Sequence, residues 1–493
     1  MLELVRMLEK IIYATFAVLL LLVFFLPVKD TDFGWHYRCG EEFITQGKLC
    51  LQNEYAYFLP NYKWANPNFI YDISLAKVFD HFGFVGVSIL GSVIFALIFL
   101  LFFSILGGPY LLRVIAISLV SVLSFSVLSL GYRSQILGLL FVLIELFILN
   151  LKGSTLSRLN LSKVEPLKTA VLTALFLLWS NSHPSFFLGP LILICFIIEK
   201  VVRVYLDKNN LDRNKTHSII YYSAFFLIPS LATLINPFGL RIYQEVLQHF
   251  QSPLGQMIAE WTMPDWWQVV LIITIGITII SLVAIKKIAL DFRLALLLIF
   301  ACFAILARRN LSLYYIIAFW LLSELSVSFN ITEKTKQILQ ATTLVALILA
   351  LPIFAFQISQ TVTFDTNPSI YCQDGQMRLS CEAVKKLKDK TGNLFNMYEQ
   401  GGFLIWQLPQ MKIFADGRMP AWKDENGQSP YQVYLEIIQA QPGWNEQLKK
   451  YGTNYLLINN GTFLDLLLQE KGAPTFGWQE DYRDQLSVIY RKI

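Results

Sequence analysis

The chain has 493 residues, of which 55% are hydrophobic and only 15% charged, and its mean hydropathy is +0.51. Soluble domains carry about 25% charged residues, so an ordinary soluble protein is excluded. A polytopic helical membrane protein is expected instead, because lipid tolerates only helices or closed barrels and these apolar runs are too long for barrel strands. The net charge of +5 gives no reason to expect a nucleic-acid partner.

Apolar runs lie at about 11–28, 83–106, 111–131, 135–151, 166–181, 185–202, 217–235, 267–285, 293–308, 311–329 and 337–358. They predict about eleven transmembrane helices, each near the length a bilayer requires. The first run lacks a small-residue cleavage site and reads as a retained helix. Basic residues cluster in alternate loops, at Arg6 and Lys10, Arg113, Lys152 to Lys168, Lys200 to Lys215, Lys286 to Arg293, and Lys334 and Lys336. The positive-inside rule makes these loops and the N-terminus cytoplasmic, and an odd number of spans places the C-terminal segment outside. The expected division is a transmembrane domain over 1–358, with long outer loops at 29–82 and 236–266, and an extracytoplasmic domain over 359–493.

The first span ends in Asp30-Thr31-Asp32-Phe33-Gly34-Trp35-His36. Two carboxylates so close can hold a divalent cation such as Mg2+ or Mn2+, or one can act as general base while the other positions it. A solvated helix end is the plain alternative. Residues 41–46 are expected to continue a short interfacial helix. Tyr55, Tyr57, Phe58, Tyr62, Trp64 and Tyr71 suit the headgroup zone, and Trp64-Ala65-Asn66 sits in a turn among them.

Further along, Arg133, Arg241, Arg308 and Arg309 fall at outer helix ends, against the usual bias. A guanidinium fork matches phosphate oxygens, so Arg308-Arg309-Asn310 can receive a lipid phosphate or can snorkel to headgroups. Glu145 and Glu324 lie inside apolar runs near inner ends and are expected to be paired structurally. His183, in Asn181-Ser182-His183-Pro184, can bind phosphate, relay a proton, ligate a metal or fix a turn. Asn236-Pro237-Phe238-Gly239 ends a helix. Glu260-Trp261 and Pro264-Asp265-Trp266-Trp267 then set two acids beside aromatic faces that can stack on sugar rings or form an aromatic belt.

Four of the six cysteines, Cys39 with Cys50 and Cys372 with Cys381, fall in segments assigned outside, where close pairs read as disulfides. Cys195 and Cys302 lie in apolar runs as packing residues. Segment 359–493 has soluble composition. Strands are expected at 394–398, 412–415, 455–458 and 486–490, and helices at 381–389, 431–439, 444–451 and 462–470, which predicts a small α/β domain. No Walker A loop, G-x-S-x-G or H-E-x-x-H motif occurs, so ATP-driven transport and metalloprotease activity find no support.

Taken in order, Asp30 to His36, Trp64-Ala65-Asn66, Asn181-Ser182-His183, Asn236 to Gly239, Glu260-Trp261 with Pro264-Asp265, Arg308-Arg309-Asn310, Tyr398-Glu399-Gln400-Gly401-Gly402 and Asp416-Gly417-Arg418 resemble a group of bacterial multipass proteins in the GT-C glycosyltransferase superfamily. That superfamily includes oligosaccharyltransferases, protein O-mannosyltransferases and aminoarabinose transferases. The outer segment lacks a clear W-W-D-type motif, a departure from the oligosaccharyltransferases.

The resemblance implies transfer of a hexosyl or pentosyl group from a polyprenyl-phosphate carrier to an extracytoplasmic glycan, lipid or protein, with inversion. Asp30 and Asp32 match the catalytic or metal-holding acids, with Glu260 or Asp265 assisting. His36, Trp64, Asn66, Arg133, His183, Trp261, Arg308 and Arg309 are the candidate substrate contacts. A non-enzymatic lipid-glycan binder or flippase, or an envelope-assembly scaffold, is the competing expectation.

Overall fold

The computed structural model describes residues 2–129, 131–151, 161–206, 212–252, 258–287, 291–326, 333–361, 372 and 378–493. Lys152, Arg158 and Lys208, which contribute to the cytoplasmic assignment, lie outside the described residues. Two units are present. One comprises Met1–Pro27, Ser88–Gly239 and Pro253–Val362; the other comprises Val28–Val87, Leu240–Ser252 and Thr363–Ile493. This differs from the linear division expected near residue 358. The first outer loop and part of the second belong with the C-terminal segment, because hydrogen bonds and ring packing join stretches that hydropathy alone separates.

The first unit is helical. Among the described residues, three helices are long and apolar enough to cross a membrane: Phe69–Ile105, Pro184–Leu206 and Ala259–Ile285. Shorter apolar helices, Tyr110–Leu123, Ser134–Asn150, Pro166–Ser180, Ile219–Ala232, Phe292–Leu306 and Gln340–Ile353 among them, occupy the positions of other expected spans without reaching that length. Lipid offers no hydrophobic drive between helices, so close packing and interhelical hydrogen bonds must hold them. The Phe24 ring stacks on Phe95 and Phe99 at 4.4 and 5.1 Å. Ser92 Oγ donates to the Leu21 carbonyl at 2.9 Å, the Gly107 N–H donates to Ser323 Oγ at 2.9 Å, and the Tyr314 hydroxyl donates to the Ile272 carbonyl at 2.6 Å.

The two acids expected to be paired behave differently. Glu324 receives Arg293 at 2.5 Å, and Arg293 also holds Asp291. Glu145 is fully buried, and neither carboxylate oxygen has a hydrogen-bond partner among the described residues. The expectation of a structural pair therefore fails at Glu145. An unpartnered carboxyl in an apolar helix is costly as a charge.

The second unit is built on a five-stranded mixed sheet. Its strands are β1 (Gly392–Asn396), β2 (Met411–Ile413), β3 (Tyr455–Asn459), β4 (Trp478–Arg483) and β5 (Ser487–Lys492), in the order β2-β1-β3-β5-β4. β2, β1 and β3 run parallel; β5 is antiparallel to β3, and β4 to β5. The buried run Leu456-Leu457-Ile458 suits a central strand covered on both faces. Helices Cys381–Leu387, Pro430–Ile438, Trp444–Lys450 and Phe463–Lys471 lie where the sequence predicts them.

The free edge of β2 is occupied by residues 55–57. Ala56 bridges Ile413 in parallel, the Tyr57 N–H donates to the Ile413 carbonyl at 3.0 Å, and the Ile413 N–H donates to the Tyr55 carbonyl at 3.1 Å. Phe58 packs edge-on against Phe414 at 5.1 Å, and the Tyr57 and Thr453 hydroxyls share a 2.9 Å hydrogen bond. Both expected disulfides form, each with a Cα separation of 5.7 Å.

Candidate functional site

The acid motif belongs to the second unit. Helix Phe33–Gln46 starts directly after Asp32, which occupies the N-cap position without capping the helix through its side chain. Asp30 is 3% exposed, and its Oδ1 accepts the Asp32 N–H at 3.1 Å. The helix is longer than the segment expected from sequence, because Phe33, Trp35 and His36 form its buried first turn.

That turn rests on the short helix Gly401–Gln407. A methyl group on Gly34 would lie 2.7 Å from the Gly402 carbonyl carbon and 2.9 Å from Trp406 Cβ, so the two backbones meet with no room for a side chain. Gly402 in turn lies against Thr31 and Asp32, and Gly401 against Ala415 and Asp416, so neither has room for a side chain. Phe33 adds an edge-on contact with Trp406 at 5.2 Å.

His36, Asn66 and Trp64 also come together here. His36 Nδ1 lies 2.5 Å from Asp72 Oδ1, and Asn66 Nδ2 donates to Asp72 Oδ2 at 2.7 Å. Asn66 Oδ1 accepts the Asn68 N–H at 3.0 Å, which fixes the turn. Trp35 stacks on His36 at 3.5 Å and meets Trp64 edge-on at 5.7 Å. His36, Asn66 and Asp72 are all buried, so His36 and Asn66 are committed to Asp72. The sequence reading did not single out Asp72. Its signal is an acid in the first turn of a predominantly apolar helix.

The Asp416-Gly417-Arg418 turn completes the acid centre. Arg418 Nε and Nη2 donate to the two Asp416 oxygens at 2.7 and 2.6 Å, and the Arg418 N–H adds a third bond at 2.9 Å. Both side chains are fully buried. The guanidinium lies over Tyr55, Trp64 and Trp422 at 5.1, 5.6 and 5.6 Å, a cation–π cage. Arg418 Nη2 reaches Asn53 Oδ1 at 3.4 Å. Buried Asn396 holds the approach to the turn, accepting the Phe414 N–H at 2.8 Å and donating to the Ala415 carbonyl at 2.9 Å. On the neighbouring helix Arg241–Gln251, Glu245 faces the Ala65 N–H at 3.4 Å. Burial pushes its carboxyl above the usual range.

Three motifs of the first unit form a cationic centre. Arg133 forms an ion pair with Glu260, and the Arg309 guanidinium sits over Trp261 at 4.4 Å. Arg308 Nη2 donates to the Met263 carbonyl at 3.1 Å and lies 3.8 Å from Asp265 Oδ1, while Gln135 Nε2 donates to the Arg309 carbonyl at 3.2 Å. Asp265 caps the helix Trp266–Ile285, its N–H donating to Gln268 Oε1 at 3.1 Å. His183 Nδ1 accepts the Ser185 N–H at 3.1 Å. Burial, with the charges of Arg309 and Arg133, holds this imidazole well below its usual range. It is therefore neutral, with the proton on Nε2. Asn181 Nδ2 donates to the Ile235 carbonyl at 3.0 Å, which brings the Asn181 and Asn236 motifs together.

Among the described residues, no group of three or more His, Cys, Asp or Glu side chains could hold a metal ion. Asp30 and Asp32 supply two carboxylates where Mg2+ takes an octahedral set of oxygens. Such ions are usually held by one or two carboxylates, with waters and substrate phosphates completing the set.

The sequence matches no protein-family model and no curated protein. Solved structures do match. The apo oligosaccharyltransferase of Archaeoglobus fulgidus superposes with a TM-score of 0.56 at 12% identity, over 99% of this chain and 74% of that one. The same archaeal enzyme, AglB, in complex with an inhibitory peptide and dolichol-phosphate gives 0.56 at 12%, with the same coverage. The mycobacterial arabinofuranosyltransferase AftD gives 0.53 at 14%, over 98% of this chain and 40% of that one. The chain has the GT-C glycosyltransferase fold. Identities this low establish the GT-C fold and no more. They agree with the resemblance drawn from the ordered motifs.

Proposed function

We propose that this chain is a membrane glycosyltransferase that moves one sugar from a polyprenyl-phosphate carrier to an extracytoplasmic glycan, lipid or protein acceptor. The observation that carries the reading is the acid motif itself: Asp30-Thr31-Asp32 opens the outer loop of a chain whose fold, over 99% of its length, is that of a glycosyltransferase. A neighbouring structure of that fold holds dolichol-phosphate, a lipid phosphate of the class proposed as donor here.

In this reading Asp32 takes the proton of the acceptor hydroxyl, with Asp30 fixing the Asp32 backbone. The acceptor oxygen attacks the anomeric carbon, the bond to the carrier phosphate breaks, and configuration inverts. Arg308 and Arg309 receive the departing phosphate, whose growing charge their guanidinium groups stabilise. Glu260 pairs with Arg133, and Asp265 lies beside Arg308. Neutral His183 can donate from Nε2 to a phosphate oxygen. Trp261 offers an aromatic face, Trp64 shapes the cage around Arg418, and His36 and Asn66 act through Asp72 rather than on substrate. The other role open to the two acids, holding Mg2+ or Mn2+, is tested directly by assaying transfer with added metal and with a chelator.

The orientation belongs to the same proposal: N-terminus cytoplasmic, second unit outside, in the plasma membrane. Cys39–Cys50 and Cys372–Cys381 support it, since disulfides persist in oxidising compartments.

The test is transfer by the purified protein in lipid nanodiscs, screened over radiolabelled polyprenyl-phosphate monosaccharides. General-base catalysis contributes about 10²–10⁴-fold, so Asp32→Asn should lose activity by that factor while keeping its melting curve. Arg308→Ala should raise KM for the donor or lower kcat. Full cellular function of Asp32→Asn would replace the enzyme with a lipid-glycan binder or flippase.

A further inference from the structure

We infer that Gly417 is a positioning residue for the Asp32 carboxylate, and that the bare backbone of the Asp416-Gly417-Arg418 turn is the seat on which that carboxylate rests. The catalytic consequence rests on the reading of Asp32 as the base; the geometry stands without it.

A methyl group added to Gly417 would meet Asp32 before anything else. The three nearest heavy atoms are all of Asp32, with Cγ at 2.7 Å, Oδ2 at 2.8 Å and Oδ1 nearer still. Gly417 does not have a positive φ, so the backbone of the turn would accept alanine. The missing side chain serves contact rather than conformation.

The seat is also rigid. On one side of Gly417, Asp416 is fully buried and held by three donors of Arg418; on the other, Arg418 is caged by Tyr55, Trp64 and Trp422. Asn396 ties residues 414 and 415, which lead into the turn, to the end of β1. The backbone of the same aspartate is set independently. A methyl group on Gly402 would lie 3.1 Å from Asp32 Cα and 3.2 Å from the Thr31 carbonyl carbon. Two glycines of the C-terminal segment therefore define where Asp32 sits, one touching its backbone and the other its carboxylate. A rigid supporting shell of this kind is what a productive base requires.

The experiment is a double-mutant cycle on the full-length protein in nanodiscs, with Gly417→Ala, Asp32→Ala and both together. Thermal melting is followed with no substrate present. Gly417→Ala should lower the melting temperature in the parent and lose most of that effect once Asp32 is alanine, because the three atoms nearest the added methyl all belong to that side chain. If Gly417→Ala cannot be purified folded, rescue by Asp32→Ala supports the inference equally. An unchanged melting penalty, or no rescue, overturns it.

A second measurement separates positioning from general structure. Carbodiimide labelling of Asp32, read by mass spectrometry across pH, should be faster and shifted along the pH axis in Gly417→Ala. With the polyprenyl-phosphate monosaccharide that the parent turns over, kcat should fall about 100-fold with KM for the donor unchanged, the cost expected of a misplacement near 1 Å. A parental labelling profile and kcat would also overturn the inference. If the melting cycle shows coupling but Asp32→Asn remains active, the seat is real and the reading of Asp32 as base is the part that fails.

Discussion

At the residue scale, the second unit depends on a few buried polar side chains that bond one another. Arg418 and Asp416 are the clearest case. Both are removed from water and joined by three hydrogen bonds, and three aromatic rings surround the guanidinium, whose Nη1 has no hydrogen-bond partner among the described residues. Breaking a buried pair by truncating one partner costs about 3–5 kcal/mol, because the other charge is stranded. Arg418→Ala should therefore lower the stability of the second unit by that amount in chemical unfolding followed by tryptophan fluorescence. Arg418→Lys should recover only part of it, since an ammonium cannot reproduce the two-pronged grip on Asp416. Loss of stability equal to that of a surface arginine variant would show that the pair contributes nothing net. The Asp72 cluster makes a similar prediction. Asp72→Ala leaves His36 and Asn66 buried without their acceptor, at about 1–3 kcal/mol for each stranded group, and the melting curve should register both.

At the element scale, the helix Phe33–Gln46 is fastened at its start and its middle. Its start lies on Gly402 and Trp406, and the Cys39–Cys50 bridge ties its middle to the following loop. Removing a native disulfide costs about 2–5 kcal/mol in small extracellular domains. Cys39→Ala with Cys50→Ala should lower the melting temperature of the second unit and increase proteolysis between residues 46 and 63, measured by mass spectrometry.

The β3–β5 region carries a pH dependence. Burial raises the Asp465 carboxyl, but hydrogen bonds from Arg483, the Gly461 N–H, Tyr490 and Gln469 outweigh it, and the group lies below the usual aspartate range. The folded state thus holds its proton less tightly than the unfolded chain. The stability this contributes is present above about pH 4, the unfolded value, and is lost as pH falls through the lower folded value. Hydrogen exchange of β3 and β5 should accelerate over that acidic window in the parent. In Asp465→Asn the acid step should vanish.

How far the sequence revealed these elements follows from their chemistry. β1, β2, β3 and β5 carry apolar residues between turn signals, and their positions were legible within a few residues. β4 was not, because Trp478–Arg483 is an edge strand with Gln479, Glu480 and Asp481 exposed, so no alternation marks it. Gly401–Gln407 was hidden because two glycines signal a turn, whereas here they permit close contacts with Ala415–Asp416 and with Thr31–Asp32. The start of Phe33–Gln46 was missed for the same reason at Gly34. As for the site, Asp30-Thr31-Asp32 and Asp416-Gly417-Arg418 were each legible as motifs. Their contact was not, because it depends on tertiary packing between stretches far apart in the chain.

At the scale of the whole molecule, the second unit is assembled from three separate stretches of chain. A chain truncated after residue 358 would keep the first outer loop but lose β2, the Gly401–Gln407 helix and the Asp416–Arg418 turn. The loop would then expose the Ala56 strand edge and the faces of Tyr62 and Trp64 that Trp422 covers at 4.7 and 5.8 Å. Trypsin should cut such a protein at Lys48 and Lys63 much faster than the full chain, an outcome readable by peptide mapping. Equal resistance would mean that the loop folds unaided.

The bridge between Ala56 and Ile413 bears on biosynthesis as well. The acid motif is made before β2, so a growing chain holds Asp30 and Asp32 without this support until residue 413 has been made. During that interval the edge of Tyr55–Tyr57 has no strand to pair with, which is the state in which exposed β edges are most prone to wrong partners. The acid centre can thus mature only after residue 418 has been made, and chaperone dependence should be concentrated in the time between the first loop and the arrival of residue 413.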